Sequence, residues 1–256
     1  MRKILKNKSG RSTFHTNPEE IIIKEKSNLF EKVKKNRPDN ISSFSMLLAS
    51  RREITRILYY NKIYQNLLNK PGVIMEFGVE YGSIVSLLSK LRGIYEPYNY
   101  SRKIIGFDTF GGFEKSLTKE EKKFGWKQGD YGVPKGYEKT LEKILNLEEK
   151  QSPLSHIKKF ELIKGDASKT IGTYLKKNPQ TIIGMAIFDM DVYKPTKDVL
   201  KIIKNRLFKG SILVFDEINH PEWAGETLAL LENIKIKNLK LQSFHGTSFG
   251  CWAILD

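Results

Sequence analysis

Apolar residues in this chain gather into short runs, and five of those runs lead straight into acids. Val73-Ile74-Met75 leads to Glu76-Phe77-Gly78-Val79-Glu80-Tyr81-Gly82. Ile104-Ile105-Gly106-Phe107 ends at Asp108-Thr109-Phe110, and Phe160-Glu161-Leu162-Ile163 ends at Gly165-Asp166-Ala167. Ile182-Ile183-Gly184-Met185-Ala186-Ile187-Phe188 ends at Asp189-Met190-Asp191, and Ser211-Ile212-Leu213-Val214-Phe215 ends at Asp216-Glu217. A nearly continuous run suits a parallel strand covered on both faces. Helical spacing follows the first run at Ile84, Leu87, Leu88 and Leu91 and resumes over 138–151. It returns at Leu228, Leu230 and Leu231. This alternation predicts an α/β fold, a Rossmann-like doubly wound, mostly parallel sheet. Phe249-Gly250-Cys251-Trp252-Ala253-Ile254-Leu255 reads as a closing strand in an antiparallel hairpin.

The flanks divide the rest. Residues 1–38 are rich in Lys, Asn and Ser, with one apolar run at Ile21-Ile22-Ile23, and read as a basic, partly ordered arm. Residues 39–70 read as helices through Met46, Leu47, Leu48, Ile54, Ile57, Leu58, Ile63, Leu67 and Leu68. The main domain then spans 71–256. Over about 114–137 the alternation breaks into Lys119-Glu120-Glu121-Lys122-Lys123 and a Gly- and aromatic-rich stretch containing Phe124, Trp126 and Tyr131. That segment reads as a lid offering flat faces to a ring.

In an open α/β sheet, ligands collect beyond the carboxyl ends of the strands, so the terminal acids converge on one crevice. The first turn carries Gly78 and Gly82 in G-x-x-x-G spacing, not the G-x-G-x-x-G of a pyrophosphate-binding turn. An acid-led turn of this kind suits a cationic cofactor without phosphates, such as S-adenosylmethionine. Asp108 stands where a ribose would be held, and Asp166 stands where a helix cap or an adenine contact is expected. The clustered carboxylates of the last two parallel strands repel one another unless a cation sits among them. A hard divalent ion, Mg²⁺ most simply, fits Asp189, Asp216 and Glu217. No His or Cys set has zinc spacing.

These residues together resemble a class I S-adenosylmethionine-dependent methyltransferase. More narrowly, residues 45–255 are similar to the macrocin O-methyltransferase (TylF/MycF/NovP-like) group, which methylates sugar hydroxyls with Mg²⁺. The motifs that carry the likeness are Glu76-Phe77-Gly78-Val79 through Gly82 and Gly106-Phe107-Asp108-Thr109-Phe110. Phe188-Asp189-Met190-Asp191-Val192-Tyr193 with Thr196, and Lys209-Gly210 through Asp216-Glu217, complete it. The resemblance implies a seven-stranded sheet with an N-terminal helical extension that covers the site and forms homo-oligomer contacts. It implies cofactor contacts by Glu76, Phe77, Gly78, Tyr81, Gly82, Ser83, Asp108, Thr109, Phe110, Gly165, Asp166, Ala167 and Asp189. It implies metal ligation by Asp189, Asp216 and Glu217, although the group usually shows two aspartates at the last pair. The proton acceptor is left among Asp189, Asp191 and His220. Trp223, two residues past Pro221, is a candidate wall.

Composition narrows the partners. The formal net charge is +15, from 44 Lys and Arg against 29 Asp and Glu. The lysines are scattered rather than gathered into one stripe, and no nucleic-acid motif appears, so they read mainly as solvated faces. A modest attraction for an anionic, sugar-like small molecule remains. Cys251 is the only cysteine, which excludes an internal disulfide and makes a reducing cytoplasm the expected compartment. No apolar stretch reaches eighteen residues, so no membrane span is expected. The competing readings are a catechol-type O-methyltransferase, a small-molecule N-methyltransferase, and a non-catalytic binding or scaffold protein. A DNA amino-methylating enzyme is disfavoured by the lack of a Pro-Pro-aromatic run, and a cytosine C5 enzyme by the lack of a Pro-Cys nucleophile.

Overall fold

The computed structural model describes residues 5–6, 12–13, 17–36, 46, 49–115, 117–247 and 250–256. The chain separates into two compact units, Met1–Leu58 and Tyr59–Asp256. The first unit contains a short antiparallel pair, β1 (Leu5–Lys6) and β2 (Ser12–Thr13), and a helix, α1 (Asn17–Asn36). The Ile21-Ile22-Ile23 run lies within α1. Of the expected N-terminal helices, Leu47 and Leu48 lie outside the described residues. Helix α2 (Arg51–Leu67) begins in the first unit and ends in the second.

The second unit is built on a seven-stranded sheet in the order β5-β4-β3-β6-β7-β9-β8. Strands β3 (Val73–Phe77), β4 (Ile104–Asp108), β5 (Phe160–Lys164), β6 (Ile183–Phe188) and β7 (Ile212–Phe215) run parallel. Strand β9 (Cys251–Leu255) is antiparallel to β7 and to the edge strand β8 (Leu239–Ser243). Phe249, the expected head of the closing strand, lies outside the described residues.

Side-chain alternation divides the core in two. Ile74, Ile104, Met185, Ile187, Ile212 and Val214 face one helical layer. That layer holds the end of α2 (Tyr60, Ile63, Tyr64, Leu67), α3 (Ser83–Tyr95) and α5 (Tyr137–Gln151), which contributes Leu141 and Leu145. Met75, Ile105, Ala186 and Leu213 face the other layer, made by α6 (Ala167–Lys177), α7 (Tyr193–Ile203) and α8 (Gly225–Asn233). A short helix, α4 (Lys119–Lys123), sits in the insertion between β4 and α5.

The last residue of each central strand except β4 is a phenylalanine, and in β4 it is the penultimate one. Phe107, Phe77, Phe188 and Phe215 are register partners across four strands. Their rings stack in turn at 5.0, 5.4 and 5.1 Å between centroids, and all four are buried. Burying each ring contributes about 1.5–3 kcal/mol, and each parallel aromatic contact adds to it. The ladder also puts the residue after each phenylalanine at one height. Those residues are Asp108, Gly78, Asp189 and Asp216.

Away from the strand tips, two buried ion clusters pin the layers. Arg92 on α3 pairs with Glu149 on α5, and Lys159, just before β5, lies 2.7 Å from the other Glu149 oxygen. Arg92 also donates to the Lys159 carbonyl, and the Lys159 ammonium reaches the carbonyls of Leu154 and Ile157. Arg102 and Tyr64 meet on Glu96, with Arg102 Nε 2.9 Å and Tyr64 Oη 2.6 Å from it. Among the described residues no helix is long and apolar enough to cross a membrane.

Candidate functional site

Strand order reverses beside β3, whose neighbours are β4 on one side and β6 on the other. The crevice lies at this switch point, above the phenylalanine ladder. The loop leaving β3 is fitted closely to the loop leaving β6. Gly78 has φ +94°, and a Cβ there would meet the Asp189 carbonyl oxygen at 1.9 Å. The glycine therefore serves the approach of two strand tips. Asp189 N–H donates to the Phe77 carbonyl at 2.9 Å and so locks the two tips together.

Asp108 clamps the same loop from the β4 side. Its Oδ2 accepts from the backbone N–H of Val79 at 2.6 Å and of Glu80 at 2.8 Å, and its Oδ1 accepts from Phe110 N–H. Thr109 braces the next turn by donating to the Gly112 carbonyl. Gly165 N–H donates to the Asp108 carbonyl at 2.8 Å, which ties in the β5 loop. Asp166 caps α6, accepting from Ser168 N–H and Oγ, with Lys169 2.8 Å away. Burial opposes ionisation of Asp166, but Lys169 and Ser168 outweigh it and hold its carboxyl below the usual range.

The expected cofactor residues thus divide. The Gly78–Ser83 turn, Asp108, Thr109, Gly165 and Asp166 gather around one mouth. Glu76 is buried within β3, and Tyr81 and Ser83 are exposed at the start of α3. The side chains of Phe77, Phe110 and Ala167 are buried in the core clusters.

Across the ladder the β6 and β7 tips present the acids. Asp191 sits at the apex of a three-residue turn with φ +62°, closed by Val192 N–H to the Met190 carbonyl at 2.6 Å. A non-glycine residue held there carries roughly 1–3 kcal/mol of strain. Burial, then the carboxylates of Asp189, Asp216, Glu217 and Glu80, push Asp191 well above the usual carboxylate range. Beneath them lies Glu226, fully buried near the start of α8. One of its oxygens accepts from Asp191 N–H at 3.4 Å and the other from Glu217 N–H at 3.2 Å. Burial and the charges of Asp191, Asp189 and Asp216 drive the Glu226 carboxyl well up. Its neighbour makes the contact feasible, since a Cβ on Gly225 would meet Tyr193 N at 2.5 Å and the Asp191 carbonyl oxygen at 2.6 Å. Sequence reasoning passed over Glu226 because an acid in the first turn of a helix is ordinary. The signal was the preceding glycine at a helix start.

Among the described residues no three His, Cys, Asp or Glu side chains are arranged as a metal-binding group. The chemistry of the donor set nevertheless fits a hard cation, because it is all oxygen and its carboxylates, after burial, push up the carboxyl of Asp191 beside them.

His220 and the insertion close the near side. His220 Nδ1 accepts from Glu222 N–H at 3.1 Å and Trp223 N–H at 3.2 Å. That lone pair is engaged, so the proton of the neutral ring lies on Nε2, which faces Glu217 at 3.9 Å. Burial lowers the imidazole pKa. His220 is built here as a brace for its loop, and in this arrangement it has no free nitrogen lone pair with which to act as a base. The aromatics also depart from expectation. Trp126 and Trp223 are buried against each other at 3.5 Å between ring centroids, with Phe113, Tyr131 and Val192 around them. Glu121, the capping-box residue of α4, accepts from Tyr193 N–H at 2.8 Å and docks the insertion onto the acid loop.

Sheet order, antiparallel closing hairpin and acid-lined switch point are those of a methyl-transferring enzyme. The chain is similar to CalS11, the calicheamicin methyltransferase, at 35% identity over 94% of both chains with a TM-score of 0.85. It is similar to apo CalS11, described as a TDP-rhamnose 3′-O-methyltransferase of calicheamicin biosynthesis, at 35% identity and a TM-score of 0.78. That match covers 94% of this chain and 96% of the other. The O-methyltransferase NovP shares the fold at 15% identity and a TM-score of 0.61, over 79% of this chain and 80% of its own. Neither a protein-family model nor a curated protein sequence matches the chain. The chain belongs to the class I S-adenosylmethionine-dependent O-methyltransferases.

Proposed function

We propose that the enzyme methylates a hydroxyl of a sugar-like acceptor, using S-adenosylmethionine and Mg²⁺. The observation that carries the reading is the convergence of Asp189, Asp191, Asp216 and Glu217 on one mouth with the cofactor-side residues. The likeness to CalS11, itself described as a TDP-rhamnose 3′-O-methyltransferase, supports the sugar.

When bound, the sulfonium supplies an electrophilic methyl group and the cation lowers the pKa of a hydroxyl. The backbone of the Gly78–Ser83 turn, with Asp108 and Asp166, orients the methyl donor. Asp189, Asp216 and Glu217 would hold the cation. Asp191, outside that set, receives the hydroxyl proton as the acceptor oxygen forms its bond to the methyl carbon and the carbon–sulfur bond breaks, leaving the neutral thioether. Glu226 keeps Asp191 and Glu217 aligned through their N–H groups. The insertion, docked by Glu121 and Trp126, excludes water from the near side. A single buried cysteine suits a reducing cytoplasm.

The test is mass spectrometry of methyl transfer to a panel of nucleotide sugars, uncharged glycosides and a catechol, with and without chelator. Chelator-sensitive methylation confined to sugar hydroxyls is expected. Methylation of the catechol alone, or full activity in excess chelator, would overturn the reading.

A further inference from the structure

The acid turn at Asp189–Val192 runs straight into α7, and that helix starts without a cap of its own. Its N-cap position is Val192, whose side chain offers no acceptor to the orphan N–H groups of the first turn. The N–H of Tyr193, the first helical residue, is instead taken by a segment 72 residues earlier in the chain, where Glu121 Oε1 accepts it at 2.8 Å. The other oxygen of the same carboxylate accepts from Thr118 N–H at 2.6 Å, inside the capping box of α4. One carboxylate therefore ends two helices, its own and the one that begins at the acid turn.

The turn needs such a restraint. Asp191 is held at φ +62°, and a non-glycine residue persists there only when its surroundings over-determine it. From α8, Glu226 reaches Asp191 N–H at 3.4 Å, which is long for a hydrogen bond. The Glu121 bond is shorter and ends on a carboxylate, the stronger kind. Gly225 packs against the same Tyr193 peptide, where a Cβ would come within 2.5 Å of the nitrogen, so the peptide has little room to shift toward α8. Trp126 of the insertion packs with Trp223 and Val192 beside it. Glu121 itself is half-buried, so water can replace its bond once the insertion lifts.

We propose that Glu121 is a positioning residue for the acid turn: docking of the insertion and shaping of the turn are one event, so that docking and cation binding strengthen each other. The inference rests on the reading of Asp189, Asp216 and Glu217 as cation ligands and names what holds their neighbourhood in shape. By linkage, whatever factor the docked insertion adds to cation affinity, the cation adds to docking.

The experiment uses the full chain and needs no turnover. Mg²⁺ is titrated by calorimetry into the parent, Glu121→Ala and Thr118→Ala, each saturated with S-adenosylhomocysteine. Thr118→Ala removes the hydroxyl that accepts from Glu121 N–H at 3.2 Å, which loosens α4 but leaves the bond to Tyr193. Loss of a helix cap corresponds to about 3- to 30-fold, so Mg²⁺ should bind Glu121→Ala that much more weakly. Thr118→Ala should stay within about twofold of the parent, and S-adenosylhomocysteine should bind all three proteins within about twofold, which reports a retained fold. The ratio between parent and Glu121→Ala should persist at about 500 mM salt, where the loss of a charge alone is screened. Without metal, Tyr193 N–H should exchange with solvent faster in Glu121→Ala than in the parent. Tryptophan emission of that variant should lie to the red and return toward the parent's as Mg²⁺ is added, because the cation favours docking. Equal Mg²⁺ binding by the parent and Glu121→Ala overturns the inference. So does an equal loss in Thr118→Ala, or a loss that vanishes in high salt. No Mg²⁺ binding by the parent removes the cation reading instead, and the exchange of Tyr193 N–H then decides whether Glu121 holds the turn.

Discussion

Asp108 is the residue on which the order of the loop leaving β3 depends, and its role can be measured. Three backbone N–H groups end on its carboxylate, from Val79, Glu80 and Phe110. A hydrogen bond to a charged acceptor contributes about 1.5–3 kcal/mol when buried. Asp108 is half-buried and water can replace part of each bond, so about 1 kcal/mol apiece is the working figure. Asp108→Ala then releases about 3 kcal/mol of loop order, which caps the loss of affinity at about 150-fold. Other restraints remain, since Gly78 N–H still reaches the Phe107 carbonyl at 3.0 Å and Gly82 N–H still reaches Val79 at 2.7 Å. The expected loss is therefore about 10- to 100-fold in binding S-adenosylhomocysteine. Asp108→Asn keeps one oxygen and turns an NH₂ toward a donor, so it should lose about 1–2 kcal/mol. Calorimetry with S-adenosylhomocysteine and with its 2′,3′-dideoxy analogue separates a loop clamp from a ribose contact. A clamp costs both ligands equally. A loss seen only with the intact ribose would refute the clamp, and no loss in Asp108→Ala would refute any cofactor role.

Glu149→Ala should destabilise the fold by about 3–5 kcal/mol, because it leaves Arg92 and Lys159 buried without a counter-charge; an unchanged melting temperature would show that the cluster carries no such load. Glu96 is pushed up by burial, but hydrogen bonds from Arg102, Tyr64 and Asn99 win and hold its carboxyl below the usual range. A depressed carboxyl stabilises the fold above its unfolded pKa, about 4.3, and that share is lost as pH falls through the folded value. Glu96→Gln should therefore flatten the fall of melting temperature with acid below that point, and parallel curves for the two proteins would refute it. Gly225→Ala should push the acid loop away from α8 at a cost of about 1–3 kcal/mol. Methyl transfer should fall far more than stability does, and full activity would mean that the close packing does not set the acids.

The strands beside the switch point were legible because both of their faces are buried, which leaves no polar alternation to confuse the pattern. Glu76, Asp108, Asp189 and Asp216 stood out as acids where such runs stop. The edge strand β8 was not specified as an element of its own. Leu239-Lys240-Leu241-Gln242-Ser243 buries one residue fully and exposes most of the rest, so its apolar signal is weak. Helix α1 was read as part of an arm because its three isoleucines stand among charged residues. Within the site, residue types were readable and pairings were not. Nothing local says that Glu226 is buried, that His220 spends its lone pair on its own loop, or that Trp126 finds Trp223. Each depends on a contact between segments far apart in the chain.

The phenylalanine ladder has a consequence for how the sheet assembles. Each of its rings is followed by, or one strand over from, a residue that must stay in the polar mouth. If β6 slipped by one residue toward its N-terminus, Asp189 would enter the aromatic row and face the apolar layer of α6, α7 and α8. An unpaired carboxylate there would be costly, and the displaced Phe188 ring would point to the opposite face. The boundary between rings and acids thus acts as a proofreading mark for strand alignment: a sheet that forms out of step is rejected by the same acids that line the crevice when it forms in step.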